Sequence, residues 1–125
     1  MTGIARRFIG IGILYALVGM VLGIIMAASG DHSRFPLHAH VQLVGWVTLA
    51  LYGLVYHAFP GMARSRLAAF HFWLANAGAL ILSVGVYIVF AYDIDAVAAV
   101  GSILTITATA LFLVIFLRDG QGAPL

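Results

Sequence analysis

Two histidines separated by a single residue, His38 and His40, are the side chains of this sequence best suited to chemistry. The chain holds five histidines in total, against six arginines, four aspartates and no lysine or glutamate. Neutral imidazole is the commonest metal ligand among side chains, so a histidine pair in a sequence with so few charged residues indicates ligation. His32 lies in the adjoining loop and could join the pair.

The spacing of His38 and His40 predicts two separate sites. Residues two apart on a helix are rotated by about 200°, so the two rings leave opposite faces. The face of His38 is small and polar, and it continues through Gln42, Gly45, Tyr52 and Tyr56. The face of His40 is apolar, and it continues through Val44, Val47 and Leu51. Chelation of one ion by both rings would require an unwound helix start.

The composition places these histidines in a membrane protein. Hydrophobic residues make up 64% of the 125 residues and charged residues only 8%, whereas soluble domains average about 25% charged residues. A water-soluble fold of this composition would expose large apolar patches, so the expected solvent is a lipid bilayer. The six arginines are too few and too scattered for a nucleic-acid face.

Four apolar segments are bounded by charges and turn residues, at 8–29, 37–59, 67–92 and 96–117, and a short Gly/Pro tail follows. Each is long enough to cross the roughly 30 Å hydrocarbon core as a helix. We therefore predict a single all-α domain, a bundle of four transmembrane helices.

The arginines predict the orientation of the bundle. Five of them fall on one side of the predicted membrane, namely Arg6, Arg7, Arg64, Arg66 and Arg118. Only Arg34 falls on the other side. The positive-inside rule then places both termini in the cytoplasm and the start of the second helix on the outer side, which is periplasmic in a bacterial inner membrane. His38 and His40 lie at that outer surface.

The remaining histidines, His57 and His71, lie at the opposite side, about 25 Å from the first pair by helical rise. The five histidines therefore cannot all belong to one site. For His71 we expect an interfacial anchoring role together with Trp73.

The residues from His38 to Trp46, continuing through Gly53 and Tyr56 to Pro60, form a longer pattern. This string resembles the H-x-H helix of subunit I in the haem–copper oxidase superfamily, nearest to its cbb-type branch. The following His71-Phe72-Trp73 is similar to the start of that family's next helix. The resemblance covers about two-fifths of the chain, from Pro36 to Gly85.

The resemblance implies that His38 matches the ligand of a high-spin haem and His40 the ligand of a low-spin haem. The cofactor would be haem b, held without covalent attachment, since the chain has no cysteine. Trp46 would contribute to the haem pocket or to helix packing, and Arg34 would either bind a haem propionate or contact a lipid headgroup. Met26, His32 or a histidine from a second copy could supply the other axial ligand.

A full oxidase subunit has about twelve helices and further histidines that bind copper, which this sequence lacks. We therefore expect haem binding for electron transfer or diatomic-gas binding, and not an oxidase enzyme. Four helices enclose a macrocycle poorly, so a homo-oligomer is expected, with a respiratory-chain component as its partner. Two alternatives stay open: an outer copper or zinc site using His32, His38 and His40, and a structural subunit of a respiratory complex.

Overall fold

The computed structural model describes residues 1–121, and within that range every regular element is a helix. Four helices are long and apolar enough to cross a membrane: Gly3–Ser29, Phe35–Ala58, Arg66–Tyr92 and Ala96–Asp119. We call them the first to fourth helices. A short helical turn, Pro60–Ala63, links the second to the third. The predicted all-α fold with four membrane-length helices is confirmed.

The helices extend beyond the apolar segments at several ends. The first helix begins at Gly3, so Arg6 and Arg7 lie within it, and its N-cap is Thr2, whose side chain accepts a hydrogen bond from the backbone N–H of Ala5. Gly30 closes it in the left-handed conformation, with φ of 71°. Hydropathy marks only the part inside lipid, so charged helix ends are missed. The predicted Gly/Pro tail lies mostly beyond residue 121, outside the described residues.

One stretch of the second helix departs from α geometry. Val41–Thr48 is a π-helix of 8 residues, and it begins directly after His40. Its neighbours, Phe35–His40 and Leu49–Ala58, are regular α-helix. Because hydropathy does not distinguish a π turn from an α turn, the sequence analysis did not predict it. Such segments are rare and often occur at functional sites.

Glycines allow the first and second helices to pack closely as an antiparallel pair. A Cβ on Gly12 would lie 3.2 Å from the carbonyl oxygen of Trp46, and one on Gly53 would lie 2.8 Å from the carbonyl oxygen of Ala5. The third and fourth helices form a second such pair, in which Gly78 faces Thr105. The bundle is therefore built from two helical hairpins, and small residues set the spacing within each one.

The two hairpins meet in an aromatic core near the end that carries Arg6 and Arg7. Phe8 of the first helix packs against Tyr52 and Tyr56 of the second and against His71 and Phe72 of the third. Long apolar side chains cover the outer faces of all four helices. These exposed faces fit a lipid environment.

Candidate functional site

His38 is attached to the first helix by a hydrogen bond across the helix pair. Its Nδ1 lies 2.8 Å from the carbonyl oxygen of Gly19. The ring fits there because of a second glycine, since a Cβ on Gly23 would come within 3.3 Å of Cε1 of the imidazole. A carbonyl can only accept a hydrogen bond, so Nδ1 donates, and Nε2 of the neutral ring carries a free lone pair.

His40 makes the corresponding bond within its own helix. Its Nδ1 lies 2.7 Å from the carbonyl oxygen of Pro36, one turn earlier. Nδ1 is again the donor, and Nε2 is again the atom with a lone pair. Both rings are half-buried at the start of the second helix. The two histidines therefore share one tautomer although they bond to different helices.

This arrangement is the one that orients histidines as metal ligands. A ligating histidine nearly always donates its other ring N–H to a carbonyl or carboxylate, which fixes the tautomer and raises the basicity of the ligating nitrogen. His38 and His40 lie in regular α-helix, so their rings leave opposite faces of the helix. Each can therefore supply one ligand to a separate group.

Gln42 follows His38 by one helical turn and lies in the same interface. Its side chain fills the space over Gly19, where a Cβ would approach Cδ of Gln42 to 2.5 Å. Its Oε1 is buried and has no hydrogen-bond partner. Gly19 and Gly23, one helical turn apart on the first helix, thus provide space for two polar side chains of the second helix. These two glycines therefore allow close packing between helices of the same chain.

The π-helix that follows the histidines is accompanied by an unusual side-chain contact. The hydroxyl of Thr48 donates to the carbonyl oxygen of Leu43, five residues earlier, at 2.7 Å. Midway along the stretch, Gly45 leaves the space occupied by the ring of Tyr15, which a Cβ would penetrate. The π-helix thus lies between the histidine pair and the aromatic core that contains Tyr52.

The other residues predicted for the haem have separate positions. Met26 is buried in the last turns of the first helix, and its carbonyl accepts the capping N–H of Gly30. Trp46 is half-buried, and its carbonyl oxygen faces Gly12. Arg34 is exposed, and its guanidinium lies over the ring of Tyr87, with Cζ 4.8 Å from the ring centroid.

The loop before the second helix does not assemble a larger ligand set. His32 is exposed, and Asp31 accepts a hydrogen bond from the backbone N–H of Ser33 at 2.9 Å. That N–H is the main reason why the pKa of Asp31 is below its ordinary value. Across residues 1–121 no group of three or more His, Cys, Asp or Glu side chains is arranged to hold a metal ion.

His71 lies in the protein core, and the interfacial anchoring role predicted for it is wrong. Its side chain is fully buried, whereas Trp73 is 69% exposed on the opposite side of the third helix. The hydroxyl of Tyr56 lies 3.0 Å from Nδ1 of His71, and Nε2 has no partner. His57 is exposed, so the inner histidines do not form a pair.

A sequence signal for this burial does exist. Small residues recur on the same helical face as His71, at Ala68, Ala75, Gly78 and Ala79, and all four are buried. A face of small residues is the one a membrane helix turns toward its neighbours.

Comparison of the chain with protein-family models, with curated proteins and with solved structures finds no match. The resemblance to haem–copper oxidase subunit I therefore stays a prediction from the sequence.

Proposed function

We propose that this chain is a membrane-bound b-type haem protein in which His38 and His40 each supply one axial ligand. The observation that carries the proposal is the hydrogen bonding of the two rings. Both donate Nδ1–H to a backbone carbonyl, at 2.8 Å and 2.7 Å. Two independent contacts thus leave Nε2 as the free nitrogen on both residues, in the form that binds a metal.

The opposite directions of the two rings favour a haem over a shared copper or zinc ion. A bare ion needs three or four protein ligands that converge on one point, and the residues from 1 to 121 present no such group. A haem iron already has four porphyrin nitrogens, so a single histidine from the protein can hold it. Two sequence features also favour a haem, namely the H-x-H string and the Gly45-Trp46 that follows it.

A haem bound to either histidine lies at the surface of a single chain. Two apolar cavities have volumes of about 740 Å³ and 520 Å³, and neither is lined by His38 or His40. A second copy of the chain would cover the exposed side of the macrocycle. We therefore propose a homo-oligomer with the haem between subunits. The other axial ligand would be Met26, buried near the outer end of the first helix, or a histidine of a second copy.

The arginine distribution supports the orientation. Arg6 and Arg7 lie in the first turns of the first helix, and Arg118 lies in the last turn of the fourth. All three are therefore at the same end of the bundle. By the positive-inside rule we propose that this end and both termini are cytoplasmic. His38 and His40 would then lie on the outer side, which is the periplasmic side of a bacterial inner membrane.

A b-type haem at this site would supply one-electron redox chemistry or a binding position for a diatomic gas. The chain's own contribution is to fix the tautomer and direction of each ring and to hold the group at the outer surface. Electron exchange with a component of a respiratory chain would take place at this surface.

The direct test is an absorption spectrum of the protein, purified in detergent from cells supplied with haem. We expect a Soret band and reduced-minus-oxidised α bands. Haem content should fall substantially in both His38→Ala and His40→Ala. The matched control is His57→Ala, an exposed histidine at the other end, which should keep its haem. A colourless wild-type protein would reject the proposal, and copper or zinc found by elemental analysis would support the metal-site alternative.

A further inference from the structure

A long apolar groove lies between the first, second and third helices in the half of the bundle that contains His38. Its volume is about 520 Å³, within the range of ligand-binding clefts. The lining is almost entirely apolar and includes Leu14, Val18, Leu22, Val41 and Leu80. Ser83 lines the groove as well, but its hydroxyl already donates to the carbonyl of Ala79. The groove therefore offers a site for a hydrocarbon chain.

A smaller and more polar pocket continues this groove toward the loop before the second helix. Its volume is about 90 Å³, and its lining includes Ser33, Arg34 and Phe90. Leu37 and Tyr87 line both the pocket and the groove. The two spaces thus adjoin at Leu37 and Tyr87. Together they have a cationic end at the membrane surface and an apolar end inside the bilayer.

Arg34 is exposed and lies against an aromatic ring of the third helix. Its Cζ is 4.8 Å from the centroid of the Tyr87 ring, and a guanidinium in such a cation–π contact can still donate hydrogen bonds through its N–H groups. The nearby carboxylate of Asp31 accepts a hydrogen bond from the N–H of Ser33. Hydrogen bonds from Ser33 first, and the charge of Arg34 to a lesser degree, lower the pKa of Asp31. The N–H donors of Arg34 match the oxygens of a phosphate group.

We propose that this site binds one anionic phospholipid, with its phosphate on Arg34 and one acyl chain in the groove. Charge complementarity favours a lipid with net negative charge over a zwitterionic one, because an ammonium group would meet the arginine unfavourably. A haem propionate on Arg34, as expected from the sequence, fits less well because no histidine lines either space. The proposal is independent of haem binding at His38 and His40.

The test uses the full chain, purified in detergent and freed of lipid, and counts bound lipids by native mass spectrometry. Phosphatidylglycerol and phosphatidylcholine with identical acyl chains are titrated in parallel. We expect phosphatidylglycerol to bind about tenfold more tightly, the value of one charged hydrogen-bonded contact. Arg34→Gln should remove this preference, and the inner-end control Arg118→Gln should keep it.

Three further variants test the groove and the aromatic ring next to Arg34. Leu80→Trp places a large ring in the groove and should weaken the binding of both lipids. Tyr87→Leu removes the aromatic ring next to Arg34 and should lower the preference for phosphatidylglycerol, whereas Tyr87→Phe should retain it.

The proposal is overturned if Arg34→Gln binds phosphatidylglycerol as tightly as the wild type. It is also overturned if millimolar inorganic phosphate displaces the lipid completely, since the chain groove would then contribute nothing. Haem content, measured on the same samples, should be unchanged in Arg34→Gln. Loss of haem with unchanged lipid binding would instead assign Arg34 to a propionate.

Discussion

The imidazole of His38 donates its Nδ1–H to the carbonyl oxygen of Gly19, 2.8 Å away on a different helix. This bond joins the candidate ligand to the packing of the first hairpin. Any change that moves the first helix away from the second also alters the direction of the ligand nitrogen. The site can therefore be perturbed without a change in either histidine.

Gly23→Leu should displace the ring of His38. Even a Cβ at this position would come within 3.3 Å of Cε1, so a full leucine side chain must push the imidazole or separate the helices. Overpacking of this kind costs about 1–3 kcal/mol. We expect a lower midpoint of thermal unfolding in detergent and, if haem is bound there, a lower haem-to-protein ratio.

The control is Gly10→Leu on the same helix. A Cβ on Gly10 has no neighbour within 4 Å, so this leucine should point into lipid and leave both measurements near the wild-type values. Equal behaviour of the two variants would show that the ring of His38 is not held at Gly23.

Tyr52→Phe should weaken the contact between the two hairpins. The hydroxyls of Tyr52 and Thr109 are 2.8 Å apart, and Thr109 already donates its proton to the carbonyl of Thr105. Tyr52 is therefore the donor in the contact between the hydroxyls. Loss of this hydrogen bond should lower the free energy of unfolding by about 0.5–1.5 kcal/mol, measured by unfolding in detergent. Tyr92→Phe, at a residue 68% exposed, should cost nothing measurable, and equal losses in both variants would contradict the assignment.

The membrane fold could be predicted from the sequence because hydropathy reports directly on lipid contact. The four helices Gly3–Ser29, Phe35–Ala58, Arg66–Tyr92 and Ala96–Asp119 contain nearly all of the predicted segments. Their charged ends could not be placed, since a helix continues into the interface wherever its backbone is capped. The opposite directions of His38 and His40 likewise follow from helical periodicity alone.

Other features of the site depend on contacts between distant residues. The tautomer of His38 is set by Gly19, nineteen residues away along the chain, and no local pattern encodes that distance. The π-helix Val41–Thr48 changes the number of residues per turn without changing the composition. The cation–π contact between Arg34 and Tyr87 joins a loop to the third helix. Each of these required the tertiary structure.

The carboxyl of Asp31 should titrate below the ordinary aspartate value of 3.8, because the N–H of Ser33 stabilises its charged form and lowers its pKa. Because the pKa is lowered, the hydrogen bond from Ser33 contributes fully to loop order at every pH above the ordinary aspartate pKa. It is lost as the pH falls through the lowered pKa. The measurement is a carboxyl-carbon NMR titration in detergent micelles, with a short peptide of the loop as reference. A titration at or above the value in the peptide would contradict the hydrogen bond.

The strongest test of the core is a double-mutant cycle on Tyr56 and His71. Tyr56→Phe leaves Nδ1 of His71 without its partner at 3.0 Å, in a ring whose Nε2 is already buried and unpaired. We expect this single change to cost about 1–3 kcal/mol. His71→Phe alone should also destabilise the protein, because the buried hydroxyl of Tyr56 is then unsatisfied.

Tyr56→Phe combined with His71→Phe should be much less destabilised than the sum of the single variants. It removes both polar partners from a core formed by the rings of Phe8, Phe72 and Phe112, and replacing both partners with apolar rings can be nearly neutral. A coupling energy of about 1–2 kcal/mol in unfolding measurements would identify the hydrogen bond as the interaction. Additive losses would mean that the two side chains contribute separately, through packing alone.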